Sequence, residues 1–194
     1  SDEVNLIKGS TSTEDYDSYF DIWAWKDLSQ QSTTASFGWR RYYHAIYIAN
    51  YVIENQKNIT EATQDEINQL VGEAYMIRAY CHFLLVNLYA DPYTHCTPAT
   101  TRGIPLSLAA DVNAVLSCSS VEKVYQQVID DIKKAKEHLN VDTWNEGYTY
   151  RFNTLSANAL LARVYLYKGD WHNALEEAKT VIQKHGTLED MNTS

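Results

Sequence analysis

Residues 159–178 read Ala159-Leu160-Leu161-Ala162-Arg163-Val164-Tyr165-Leu166-Tyr167-Lys168-Gly169-Asp170-Trp171-His172-Asn173-Ala174-Leu175-Glu176-Glu177-Ala178. Apolar and small residues recur at three- and four-residue steps on both sides of Gly169. The stretch therefore predicts two helices, the first ended by Gly169 and the second started by Asp170. Ala162 and Ala174 fall where two antiparallel helices would touch. Small side chains there let the axes approach, and Tyr165 fills the gap beside them. Trp171, Ala174, Leu175, Ala178, Val181 and Ile182 form the expected buried face of the second helix.

This spacing follows the helix, tight turn, helix logic of a tetratricopeptide (TPR) repeat. A weaker echo stands earlier: Ala74-Tyr75-Met76-Ile77-Arg78-Ala79-Tyr80 parallels Ala159-Leu160-Leu161-Ala162-Arg163-Val164-Tyr165. The expected fold is all-α, built of stacked antiparallel helix pairs with long irregular loops. Helix pairs of this kind bury their faces only against neighbours.

The remaining elements follow from periodicity and caps. A helix is predicted over 37–58, with Trp39, Tyr42, Tyr43, Ile46, Ala49, Asn50 and Ile53 on one face. A second spans 64–88, opened by a capping box at Thr63-Gln64-Asp65-Glu66. It is apolar nearly all round after Ala74 and should be the most buried. Ser119-Ser120-Val121-Glu122 reads as another capping box, opening a helix with a one-sided stripe from Val121 to Leu139. Asn153 or Thr154 caps the helix that ends at Gly169. Residues 15–28 read as a short aromatic helix or ordered loop, and residues 1–13 as poorly fixed. Two loops remain: 91–119, which holds all three prolines, and 142–151, rich in aromatics. A loop as long as the first is usually functional or disordered.

Composition narrows the function. The formal net charge is -9 and no cluster of Lys and Arg stands out, which argues against nucleic acid and an anionic lipid surface. No apolar stretch approaches the ~20 residues that span a bilayer. Ser1-Asp2-Glu3-Val4 is neither a signal peptide nor a lipidation motif. Of the three cysteines, Cys81 reads as a small core residue. Cys96 and Cys118 could close a disulfide loop in an oxidising exterior, the less favoured reading. His95 and Cys96 are adjacent donors and do not amount to a metal site. No cofactor is implied. Fifteen tyrosines and five tryptophans are many for this length, so some present flat faces to a ligand or fill helix interfaces.

Several landmarks, in order, resemble the SusD/RagB family over about 39–188. Trp39-Arg40-Arg41-Tyr42-Tyr43 through Ala49-Asn50-Tyr51-Val52-Ile53 resembles its first TPR helix. Gly72-Glu73-Ala74 followed by Arg78-Ala79 resembles its most characteristic motif. Gly103-Ile104-Pro105-Leu106, then Val124-Tyr125 with Ile129-Asp130-Asp131-Ile132, and finally residues 157–182 resemble the segments that follow. The resemblance implies that residues 1–194 form one N-terminal helical domain, with TPR-like helices over about 37–88 and 120–186. The family's lipidated cysteine and long C-terminal portion are not in this sequence. It further implies a non-catalytic surface lipoprotein of the bacterial outer membrane in Bacteroidetes. Such a protein serves polysaccharide utilisation and nutrient uptake: it binds starch, another oligosaccharide or a peptide beside a TonB-dependent SusC-like transporter. A plain TPR-type scaffold for a protein or peptide is the alternative.

Sugar recognition needs aromatic faces against C–H patches and polar groups for hydroxyls. Loop residues are the natural candidates: Tyr93, His95 and Arg102 on the first loop; Trp144, Asn145, Tyr148 and Tyr150 on the second. The resemblance favours the first loop, because it follows the Glu73-Ala74 and Arg78-Ala79 helix, where members of the family place some sugar contacts. The competing reading gives these side chains a structural or transporter-facing role. Trp39, Tyr42, Tyr43 and Tyr47 sit at helical spacing and read as packing residues. Glu73 and Arg78 lie on a buried helix and must be paired. Enzyme readings are weak: Asp130 and Asp131 are helix neighbours, not carboxylates across a cleft, and no recognised catalytic motif occurs.

Overall fold

A computed structural model describes residues 16, 19, 20, 23–25 and 38–187. The chain divides into two units, 1–40 and 41–194. In the first, Tyr16 stacks on Phe20 with ring centroids 5.2 Å apart, and Phe20 tilts against Trp23 at 5.9 Å. Most of the expected 15–28 segment, residues 1–13 and the last seven residues lie outside the described residues.

The rest is helical. Helix α1 spans Trp39–Asn55 and relaxes into a 3-10 turn at Gln56–Asn58, so the expected single helix over 37–58 is shorter. Helix α2 spans Gln64–Tyr89. Its capping box forms: the Thr63 hydroxyl accepts from the Glu66 amide, and the Glu66 carboxylate accepts from the Thr63 amide at 2.8 Å. Helices α3 (Val121–His138), α4 (Thr154–Lys168) and α5 (Trp171–Lys184) follow. Asn153 caps α4, and Gly169 ends it at φ 79°, a left-handed value that favours glycine.

The box expected at Ser119 does not form. The cap is Ser120, whose hydroxyl accepts from the Lys123 amide, and Glu122 falls one position too early to reach back. The reason lies in the preceding backbone: Cys118–Ser120 forms strand β2, antiparallel to β1 (Arg102–Pro105), which holds Ser119 extended. The loop over 91–119 is thus not wholly irregular. It carries this strand pair and a 3-10 turn at Tyr93–His95.

α3 packs along α2, α4 on α3 and α5 on α4. Gly72 explains how closely the first pair can approach. A Cβ there would stand 2.8 Å from Leu139 Cγ and 2.9 Å from the Leu139 backbone nitrogen. α2 contributes the largest share of the core, with Val71, Met76, Ala79 and Leu85 fully enclosed.

The buried charges expected on α2 are paired. Arg78 grips Asp131 of α3 through Nε (2.8 Å) and Nη2 (2.6 Å), while Nη1 donates to Asn50 Oδ1 of α1. The amide of Asn50 in turn donates to the carbonyls of Ser107 and Ala109. Tyr43 donates to the Pro105 carbonyl, His82 Nε2 accepts from the Ser107 amide, and Glu54 accepts from Ala110. Side chains of α1 and α2 therefore strap residues 105–110 down.

The expected burial of α5 is only partly realised. Ala174 is buried and Ala178 and Val181 half-buried, but Trp171, Leu175 and Ile182 are more than half exposed. Among the described residues α5 packs chiefly on α4, so only its α4-facing side is covered. An apolar groove of about 360 Å³ runs there between Leu166 and Leu175.

Candidate functional site

The two candidate loops lie at opposite ends of the α2–α3 pair. At one end Tyr125 of α3 donates to Asn87 near the end of α2. At the other, the Asn140 side chain donates to the Asp65 carbonyl at the start of α2. The 26 residues of α2 put about 39 Å between these ends. The seven candidate side chains cannot form one site.

At the first end, Tyr93 tilts against Tyr125 with centroids 4.9 Å apart, and the Lys168 ammonium lies 5.9 Å from its ring. Burial pushes the Tyr93 phenol above its ordinary range, and Tyr125 to about 12. Tyr93 therefore anchors the loop to the helices. Arg102 is exposed on β1; its hydrogen bond with Cys118 holds its charge more firmly. His95 is exposed and stands on the 3-10 turn. Cys96 and Cys118 are free thiols, so the disulfide is not formed. Cys96 donates instead toward the Tyr93 carbonyl.

At the second end, Trp144, Asn145, Tyr148 and Tyr150 come together on one loop. Trp144 and Tyr148 rings stand 6.4 Å apart, tilted by 41°. Tyr148 is half exposed and Tyr150 is 79% exposed. The indole N–H of Trp144 donates to the Phe152 carbonyl, and the Arg151 guanidinium lies 4.0 Å over its ring. Arg151 is fixed in turn by Glu73 of α2, at 2.7 and 3.1 Å.

Sequence reasoning passed over Gln69. It is buried on α2, and its carbonyl oxygen accepts from the amides of Asn140 and Val141. Its amide donates to the Phe152 carbonyl and to Glu73. One side chain thus pins both ends of the aromatic loop. The signal was available: a polar residue on the core-facing side of an apolar helix has to find partners.

Trp144 walls two clefts. One, of about 350 Å³, is lined by Asp142, Thr149, Asn153 and Ser156, with Val181 and His185 contributed from the end of α5. The other, of about 450 Å³, is bounded by Asp65, Glu66, Gln69 and Arg151. An aromatic wall with hydroxyl, amide and carboxylate groups around it suits a polyhydroxylated ligand. Asp131 is held by Arg78, and Asp130 accepts from Gln126. Neither faces the other across a cleft.

The family model for SusD-like proteins, described as "Starch-binding associating with outer membrane", matches residues 3–166. The chain belongs to the SusD-like family. SusD-like protein P2 of Formosa agariphila is 30% identical over 152 residues, which is 78% of this chain and 28% of that protein. The chain thus spans little more than a quarter of that SusD-like relative. A SusD superfamily crystal structure from Bacteroides thetaiotaomicron superposes with a TM-score of 0.74 at 28% identity, over 84% of this chain and 36% of that one. A laminarin-binding SusD-like protein shares the fold with a TM-score of 0.67 at 23% identity, over 81% and 32% respectively. Within this SusD-like chain, the first two residues of the Gly72-Glu73-Ala74 run each have a physical role. Gly72 admits Leu139, and Glu73 holds the arginine that lies on Trp144.

Proposed function

We propose that this SusD-like protein is a non-catalytic glycan receptor at the bacterial outer membrane, anchored there as a lipoprotein. It passes oligosaccharide to a TonB-dependent transporter of the SusC type. The observation that carries the reading is the Trp144 loop. Three aromatic rings and Asn145 stand on one loop whose Trp144 walls the clefts, in a chain whose family is described by starch binding. The laminarin-binding relative supports glycan as the ligand class. The two loops divide the work: the Trp144 loop meets sugar, while His95 and Arg102, far from it, face the transporter.

Isothermal titration with laminarin and soluble starch oligosaccharides tests this. Saturable binding is expected, weakened or lost in Trp144→Ala and unchanged in His95→Ala. Saturable binding that is unchanged by Trp144→Ala but lost on changing His95 or Arg102 would move the site to the other end. The alternative, a peptide-binding scaffold, has the apolar groove between α4 and α5 in its favour. It predicts capture of an apolar peptide, sensitive to Leu175→Asp, with no response to sugar.

A further inference from the structure

We infer that the Trp144 clefts select uncharged glycans and turn away chains that carry uronate or sulfate. The inference rests on the glycan-binding reading above and concerns its electrostatics. Among the described residues three carboxylates line the two clefts: Asp142 on one side of Trp144, Asp65 and Glu66 on the other. Among the described residues the lining holds one arginine, Arg151, and the Glu73 carboxylate offsets its charge. Glu73 takes two of its donors at 2.7 and 3.1 Å, and its face is spent on the indole. Glu146 adds a further exposed carboxylate between Asn145 and Tyr148.

An anionic sugar needs a cation with free donors, as arginine supplies to carboxylate or sulfate. Here it would meet the cleft carboxylates, with no unpaired arginine or lysine among the described lining residues to offset them. A neutral sugar meets the same groups as hydrogen-bond acceptors, through the oxygens that Thr63 leaves free on Glu66 and Thr154 leaves free on Asp142. The carboxylates thus serve recognition of one class and repel the other. Among the described residues His185 is the remaining ionisable group of the lining, and a positive charge there would attract an anion. Repeating the measurement with His185→Gln removes that term.

The test is affinity electrophoresis of the whole chain through gels containing laminarin, soluble starch, alginate or a sulfated galactan, at low and at high salt. Retardation by a neutral polymer is expected, with alginate and the galactan roughly tenfold weaker at low salt and gaining as salt screens the carboxylates. The double variant Asp142→Asn with Glu146→Gln should narrow that gap. Alginate or galactan retarding the protein as strongly as the neutral polymers, or losing retardation as salt rises, overturns the selection while leaving the glycan reading in place. Retardation by none of the four polymers overturns the glycan reading itself, and the selection with it. If the double variant is unfolded by circular dichroism, the salt dependence of the unaltered chain decides the matter.

Discussion

The Arg151 guanidinium lies 4.0 Å over the ring of Trp144, and its other contacts run back to Glu73 on α2. The orientation of the aromatic wall is therefore set in part from the helical bundle, through Glu73, beside the hold of the Phe152 carbonyl on the indole N–H. A cation–π contact and a two-point ion pair act in series, so a change at Glu73 is felt at Trp144 without touching a ligand.

Replacing Glu73 by glutamine should separate the two effects. The Glu73–Arg151 pair is only partly enclosed, with side chains 12% and 29% exposed, so the loss of stability should be about 1–3 kcal/mol, below that of a fully buried pair. Urea titration measures that loss. Laminarin binding should weaken as well, because Arg151 is then free to leave the indole. Glycan affinity equal to that of the unaltered protein, measured well below the unfolding midpoint, would show that Trp144 is oriented without Arg151.

Arg78 and Asp131 should behave as one unit. Both are enclosed, and Asn50 and Gln127 complete their hydrogen bonds. Arg78→Met alone strands a buried carboxylate and should cost about 3–5 kcal/mol. Arg78→Met combined with Asp131→Leu should recover much of that loss. A double variant no more stable than the single one in chemical denaturation would count against the pairing as the main cause.

Gly72→Ala tests the close approach of α2 and the end of α3. The added methyl meets both the Leu139 side chain and its backbone nitrogen, so overpacking of about 1–3 kcal/mol is expected. Trimming Leu139 to alanine in the same chain should relieve the side-chain part only, because the backbone contact stays. Thermal melts of the two variants give the comparison.

His82 makes stability fall in mild acid. Burial, then the positive charge of Arg78, lowers its pKa from 6.5 to about 4, against a weaker opposing contact with the Arg78 backbone. The folded pKa is below the unfolded one, so the neutral imidazole stabilises the fold fully above about pH 6.5. That contribution drains away as pH falls toward 4, where the folded state also takes up the proton. The difference is on the order of 3 kcal/mol. His82→Gln should flatten the pH dependence of the denaturation midpoint between those values. A slope identical to that of the unaltered protein would assign the acid sensitivity to other groups.

Much of this was legible in the linear chain because it is short-range. The cap at Thr63, the stop at Gly169 and the apolar stripe of α3 each involve residues within a few positions of one another. Strand β2 was not legible: Cys118–Ser120 is too short to show an alternation, and it exists because β1 lies alongside. The exposure of Trp171, Leu175 and Ile182 was misread for a related reason. Periodicity says which residues share a helix face, but not whether a neighbour covers it. The echo between Ala74–Tyr80 and Ala159–Tyr165 has the same limit, since Arg78 is buried against Asp131 while Arg163 is exposed beside the groove.

The residue order alone determined an all-α chain of SusD-like type, the ends of most of its helices, and the aromatic character of the second loop. Stacking of the helices decided the rest. It sent the two candidate loops to opposite ends of α2, gave Arg78 its partner on α3, and brought His185 from the end of α5 to the cleft beside Trp144. Helix periodicity and capping are local and survive in any arrangement of the helices. Which distant side chains meet depends on how those helices lie against one another, and that is a property of the packed core.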